Sequence, residues 1–305
     1  DKLTQLSDLY SRWISKQQEQ SILLEEKYKE AASNNIDKCK ETLNRIISGI
    51  DFLRNDDLAL KAFKLANHAI LSQQVRTKRY KDDERDWEEK IDGKILPKIE
   101  YTEPDIIENI KGIGKWRPFQ LAFILSSLES TAKEDHVDRN IVELIFFPTG
   151  GGKTEAYLGM ISFLSFYKRL NNSEHQGVDV IMRYTLRLLT TQQFSRAASL
   201  ICSMEKIRQE NIDILGKKEF SIGVWLGQAS TPNRKEKAKN ILRDLNNSEK
   251  DDNIDDPFLL TKCPWCSAGI GQIEIKKKSK TNKTYTKFDI RGIHPSINTV
   301  KFMCD

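Results

Sequence analysis

Residues 147–154, Phe147-Pro148-Thr149-Gly150-Gly151-Gly152-Lys153-Thr154, have the composition of a phosphate cradle. They fit the pattern GxxxxGK[ST] except at its first position, where Phe147 replaces glycine. Glycines let successive backbone N–H groups turn inward around phosphate oxygens. The N-terminus of a following helix adds a positive dipole end. Lys153 then supplies a point charge between the β- and γ-phosphates, and the Thr154 hydroxyl ligates Mg²⁺. The candidate ligands of ATP–Mg²⁺ are therefore Thr149, Gly150, Gly151, Gly152, Lys153 and Thr154.

A second group is Cys263-Pro264-Trp265-Cys266. Two thiolates at this spacing can share one tetrahedral Zn²⁺, at roughly 2.3 Å each. Alternating residues then predict a hairpin that returns the chain to Cys304, the expected third ligand. The fourth is expected beyond Asp305, with His294 a weaker candidate. A thioredoxin-like redox pair is the rival, but that motif opens a helix after a strand. Cys39 and Cys202 fall on helical patterns and are expected in the core. Five cysteines, an odd count, with no secretory leader read from residues 1–9, point to a reducing cytoplasm.

A third group is Arg183-Tyr184-Thr185-Leu186-Arg187-Leu188-Leu189-Thr190-Thr191-Gln192-Gln193. Two cations, hydroxyls and backbone N–H groups at a strand-to-helix turn make a surface that positions a phosphate backbone without reading bases. The charge distribution fits the same partner. Residues 263–305 hold eight Lys and Arg against three Asp and Glu, which accounts for the whole net charge of +5. A solvated lysine-rich loop would give the same count.

These groups need elements to hold them. With 305 residues, 38% of them hydrophobic and 30% charged, the chain is long enough for about two domains. No apolar run approaches the roughly 18 residues that span a bilayer, so no membrane role is expected. Residues 1–78 carry helical stripes such as Leu43, Ile46, Ile47, Ile50 and Leu53, with breaks expected at Asn34-Asn35 and Asn55-Asp56-Asp57. That region is either a plain helical bundle or a partner-binding domain. A charged connector follows to residue 104. Beyond it, helix 116–128, strand 141–147, helix 155–170, strand 178–182, helix 190–209 and strand 220–226 alternate. This order predicts parallel strands joined by right-handed crossovers, covered on both faces. A basic helix over 233–246 and an acidic loop precede the terminal hairpin.

Pro-Thr-Gly-x-Gly-Lys-Thr without the first glycine resembles motif I of superfamily 2 helicases, and Trp116-Arg117-Pro118-Phe119-Gln120 resembles the segment that precedes it. The resemblance implies that the Gln120 amide pairs with the adenine edge. The third group resembles motif Ia, although Tyr184 stands where proline is usual and the glutamine lies one residue late. Carried over, Thr185 and Arg187, with Arg183 and Gln192, hold strand phosphates. Residues 148–157, 183–190 and Trp225-Leu226-Gly227 together resemble the helicase-like subunits of the DISARM phage-defence system, the DrmA type. That implies a DNA translocase or helicase acting with a partner subunit of a defence complex.

The expected fold is thus α/β. An all-helical domain and connector (1–104) precede a RecA-like P-loop lobe with a parallel sheet (105–256), which carries a zinc-binding hairpin insertion (257–305). The expected cofactors are ATP, Mg²⁺ and Zn²⁺, and the expected partners are DNA and a second subunit. Such a motor needs an Asp-Glu pair after a strand, to hold Mg²⁺ and activate water. Asp82-Asp83-Glu84, Asp251-Asp252 and Asp255-Asp256 all sit in hydrophilic stretches, so the catalytic carboxylates stay unassigned and the chain reads as a piece of a longer enzyme, able to bind ATP but lacking the residues to hydrolyse it. A non-catalytic scaffold stabilised by nucleotide, and a small-molecule P-loop kinase, are the alternatives.

Overall fold

The computed structural model describes residues 2–79, 87–90, 92–106, 115–148, 150–184, 187–226, 232, 234–247, 258, 260–278, 284–295 and 300–302. Two compact units divide the chain. The first holds 1–70, 114–181 and 204–219, and the second holds 71–113, 182–203 and 220–305. No described helix is long and apolar enough to cross a membrane.

The elements in chain order are α1 (Lys2–Ser21), α2 (Glu26–Asn55), α3 (Asp57–Arg79), β1 (Trp87–Glu89), β2 (Ile95–Pro97), α4 (Pro118–Ala132), α5 (Lys153–Asn171), α6 (Arg187–Glu210), α7 (Ile212–Leu215), α8 (Lys235–Asn247), β3 (Gly271–Lys278), β4 (Thr284–Arg291), β5 (Ile293–Pro295) and β6 (Val300–Phe302). The first unit is helix packed on helix: α1 on α2, α2 on α4, α4 on α5 and α5 on α7. Its core collects the apolar stripes of these helices, with Ile46, Ile50, Leu53, Ile124, Leu125, Leu128, Leu158, Phe163, Phe166 and Met204 all buried.

The expected helix break at Asn34-Asn35 does not occur, because α2 runs through it. Both asparagine side chains face solvent, while Ile36 beside them is buried. Exposed asparagines cost a helix little when its apolar face is packed. The break comes instead at residues 22–25, where the Leu23 N–H donates to the Gln20 carbonyl at 3.1 Å in a closing turn. Asp56 starts the next helix. Its carboxylate accepts from the Ala59 N–H at 2.8 Å and from the Tyr167 hydroxyl at 3.0 Å, so one side chain caps α3 and ties it to α5.

Residues 141–147, 178–182 and 220–226, expected as parallel strands, lie outside any regular element. Val142, Leu144 and Phe146 are 92%, 84% and 91% exposed. Among the described residues the strands form antiparallel pairs, β1 with β2, β3 with β4 and β5 with β6. The β3–β4 pair runs from Gly271 opposite Arg291 to Lys278 opposite Thr284.

The second unit has its own core. Trp87, Ala238, Leu242, Leu245, Phe258, Cys263, Cys266, Ala268, Ile270 and Ile293 pack together. The stripe of α8 thus covers the cysteine turn and the start of β5. The Trp87 indole N–H donates to the Gly269 carbonyl at 2.9 Å, which fixes β1 against that turn.

One glycine decides how closely α2 and α4 approach. A Cβ on Gly49 would lie 1.9 Å from the Leu125 carbonyl oxygen, a backbone atom that cannot step aside alone. Gly49→Ala should force the helices apart and destabilise the first unit by about 1–3 kcal/mol, the usual range for overpacking. Thermal denaturation followed by circular dichroism would register this as a midpoint several degrees lower.

Candidate phosphate loop and cysteine turn

The loop preceding α5 is built from left-handed glycines. Gly150 has φ +77° and Gly152 φ +91°, conformations that side-chain-bearing residues rarely adopt. Gly151 is held by its own N–H, which donates to the Pro148 carbonyl at 3.1 Å. Gly152 is the residue before α5, and Lys153 and Thr154 are the first two residues of that helix. Thr149 lies outside the described residues. Phe147 needs no left-handed backbone, and its ring stacks on Phe119 with centroids 3.9 Å apart and 14° between planes. The residue in place of the motif's first glycine is thus an anchor between the loop and α4.

Side chains grip the loop's carbonyls. The Lys153 ammonium donates to the Phe147 carbonyl at 2.6 Å and the Pro148 carbonyl at 3.1 Å. Arg117 donates from Nη1 to the Gly151 carbonyl at 2.6 Å. Gln120 donates from Nε2 to the Gly152 carbonyl at 2.6 Å, and its Oε1 accepts from the Arg117 N–H at 2.8 Å. Gln120 is only 4% exposed, and it is the residue for which the helicase resemblance implied base reading. Sequence reasoning missed Arg117. The signal available was its place three residues before Gln120, across the first turn of α4 that Pro118 opens.

Further ties hold the segments before and after the loop in sequence. Trp116 donates to Asn67 Oδ1 at 2.6 Å, and its ring passes over Gly159 of α5, where a Cβ would meet it at 2.9 Å. Upstream, Arg45 pairs with Glu143 and, at 3.1 Å, with Asp138, which tethers the segment leading into the loop. Downstream, Asp179 accepts from His175 at 2.8 Å and Lys168 at 3.1 Å. Burial pushes its carboxyl up, but the two donors outweigh burial and leave its pKa below the usual carboxylate value.

In the second unit, Cys263 and Cys266 are buried and neither is in a disulfide. The turn between them closes through the Ser267 N–H to the Cys263 carbonyl at 2.9 Å and the Cys263 N–H to the Ala268 carbonyl at 2.8 Å, with Ser267 left-handed at φ +61°. Cys304 lies outside the described residues, and His294 sits on β5 opposite Lys301. Among the described residues no three His, Cys, Asp or Glu side chains gather as a metal site. Trp265, inside the CxxC turn, lies beneath the Arg76 guanidinium, 3.6 Å from its ring centroid. Arg76 is 3% exposed and also pairs with Glu103 and bonds Tyr101 at 3.3 Å, so α3 reaches the turn through one desolvated cation.

Of the expected nucleic-acid residues, Arg183 and Gln192 are exposed, and Arg187 opens α6. Thr185 lies outside the described residues. Residues 187–193 of that group lie in the first two turns of α6.

In layout, two left-handed glycines run into a helix that opens with Lys-Thr. No protein-family model matches the chain. It is similar to the DISARM protein DrmA of Bacillus paralicheniformis, with 36% identity over 94% of this chain, and it spans 25% of that protein's length. The chain thus resembles the DrmA type, as its motifs implied.

Gly152→Ala should disturb the loop specifically. A Cβ there would lie 2.6 Å from Gln120 Nε2, on a backbone that resists any side chain. The strain should cost on the order of 1–3 kcal/mol, visible as a lower thermal midpoint. Gly150→Ala, with nothing within 4 Å of its added Cβ, should cost less.

Proposed function

We propose that this chain is part of an ATP-dependent DNA translocase or helicase of anti-phage defence, and that residues 147–154 bind ATP–Mg²⁺. The observation that carries the reading is the placement of Lys153 and Thr154 as the first residues of α5, directly behind the left-handed Gly152. That arrangement gathers a helix N-terminus, an ammonium and a hydroxyl within one turn of chain, the set of groups that the β- and γ-phosphates and Mg²⁺ call for. Similarity to a DISARM protein supports the defence role. A multi-subunit assembly follows from the same reading. Arg183, Thr185, Arg187 and Gln192, in α6 or just before it in sequence, would hold strand phosphates.

The same reading takes 141–147, 178–182 and 220–226 as strands of a RecA-like parallel sheet. Their β-branched and aromatic side chains support it, since exposed runs such as Val142, Leu144 and Phe146 need cover. Cys263 and Cys266 would hold a structural Zn²⁺ with Cys304. The fit rests on two buried thiols in a turn whose backbone is closed around them. Such a metal supplies folding energy to a module with a small core.

Lys153→Ala should weaken ATP binding by about 1.5–3 kcal/mol, the range for a hydrogen bond to a charged group. In titration calorimetry of the full-length protein this is roughly a ten- to hundredfold rise in Kd. DNA binding by the same variant should hold within a few-fold, and DNA-stimulated ATP hydrolysis should vanish. Unchanged nucleotide affinity would remove the phosphate-loop assignment. For the cysteine turn, elemental analysis should find one zinc per chain, lost in Cys263→Ser with ATP binding retained. Zinc-free protein of unchanged stability would end that assignment.

A further inference from the structure

We infer that Arg117 and Gln120 set the peptide planes of the phosphate loop, acting as positioning residues for the phosphates rather than as readers of the base. The inference rests on the phosphate-loop reading above. Two consecutive loop carbonyls take side-chain donors from the start of α4, Gly151 from Arg117 and Gly152 from Gln120, each at 2.6 Å. The described peptide bonds are all trans. In a trans peptide the C=O and N–H point in opposite directions. The Gly151 carbonyl shares its plane with the Gly152 N–H, and the Gly152 carbonyl shares its plane with the Lys153 N–H. Drawing both carbonyls toward the start of α4 therefore turns both N–H groups away from it. Two successive N–H groups aimed alike are the core of an anion-binding nest.

Gln120 is placed so that it cannot easily do anything else. Its amide is buried and engaged at both ends with backbone, accepting from the Arg117 N–H and donating to the Gly152 carbonyl. The orientation of the amide is fixed by its partners, since an N–H faces one end and a carbonyl faces the other. A base reader needs that edge turned toward the ligand. Arg117, an exposed residue, reaches Gly151 through one N–H of its fork. The absence of a Cβ at Gly152 leaves the space that Gln120 Nε2 occupies. Stacking of Phe147 on Phe119, next to Gln120 in sequence, holds the other end of the loop to the same helix turn.

The test measures Kd in the full-length protein for ATP, GTP and inorganic tripolyphosphate, which has no base. Gln120→Glu keeps the acceptor for the Arg117 N–H, and with it the helix start, but loses the donor to Gly152. Arg117→Ala removes the other donor, and Arg117→Lys restores a single one. Gln120→Glu and Arg117→Ala should each weaken all three ligands in parallel, by about tenfold, with thermal midpoints near that of the parent. Arg117→Lys should recover part of the loss. A defect confined to ATP and GTP, with tripolyphosphate bound as before, would assign these residues to the nucleoside and overturn the inference. Unchanged binding of all three would overturn it too. If Gln120→Glu fails to fold, Arg117→Ala decides by the same comparison. Failure of the parent reading looks different: none of the three ligands binds the unaltered protein, or Lys153→Ala binds them equally well, and the inference falls with it.

Discussion

The amide of Gln120 joins two backbones that would otherwise be independent. One end satisfies an N–H at the start of α4 and the other a carbonyl at the start of α5. Helix starts leave donors without intrahelical partners, so such groups must find bonds elsewhere. Here the first turn of α4 is completed by the same side chain that orients the glycine turn. The geometry of 150–153 therefore depends on α4 being packed on α5, and that packing depends on Leu125, Leu128, Leu158 and Phe163 being buried. Geometry of the loop and packing of the first unit are in this sense one constraint.

Close backbone approach is the second condition. Gly49 lets α2 lie against the Leu125 carbonyl, and Gly159 lets α5 lie under the Trp116 ring. Trp116 directly precedes Arg117, and its indole is pinned by Asn67 of α3. The α4 entry is therefore braced from two helices before it touches the loop. Hydrogen bonds are directional, so the loop's side-chain-to-carbonyl bonds depend on that bracing more than an apolar contact would.

The second unit solves a different problem. Its core is small and includes two thiols, so it draws on polar ties as well. Trp87 bonds the Gly269 backbone, and Arg76 stacks on Trp265 while paired with Glu103. A buried arginine is costly unless its donors are matched. Ser72, Tyr101 and Glu103 all take up the donors of Arg76. The CxxC turn is thus fixed by its surroundings as well as by its own backbone bonds.

Much of the local structure was legible in the residues. The stripe of Ile46, Ile50 and Leu53 gave a helix, and the alternation around Ile273 and Ile275 gave the strand that pairs with β4. The run Gly150-Gly151-Gly152 before Lys153 gave a turn entering a helix, because only glycine accepts φ near +77° and +91° without strain. These are properties of a few neighbouring residues, and neighbouring residues carry them. The tertiary structure decided what distant residues had to settle. It ran α2 through Asn34-Asn35, since burial of Ile36 outweighs a weak local preference. It turned Gln120 onto Gly152 and brought Arg117 to Gly151, across 32 and 34 positions of chain. It set Arg76 over Trp265, a contact no periodicity encodes. Such pairings depend on which helix faces meet, and helix faces are chosen by the burial of the whole unit rather than by any segment within it.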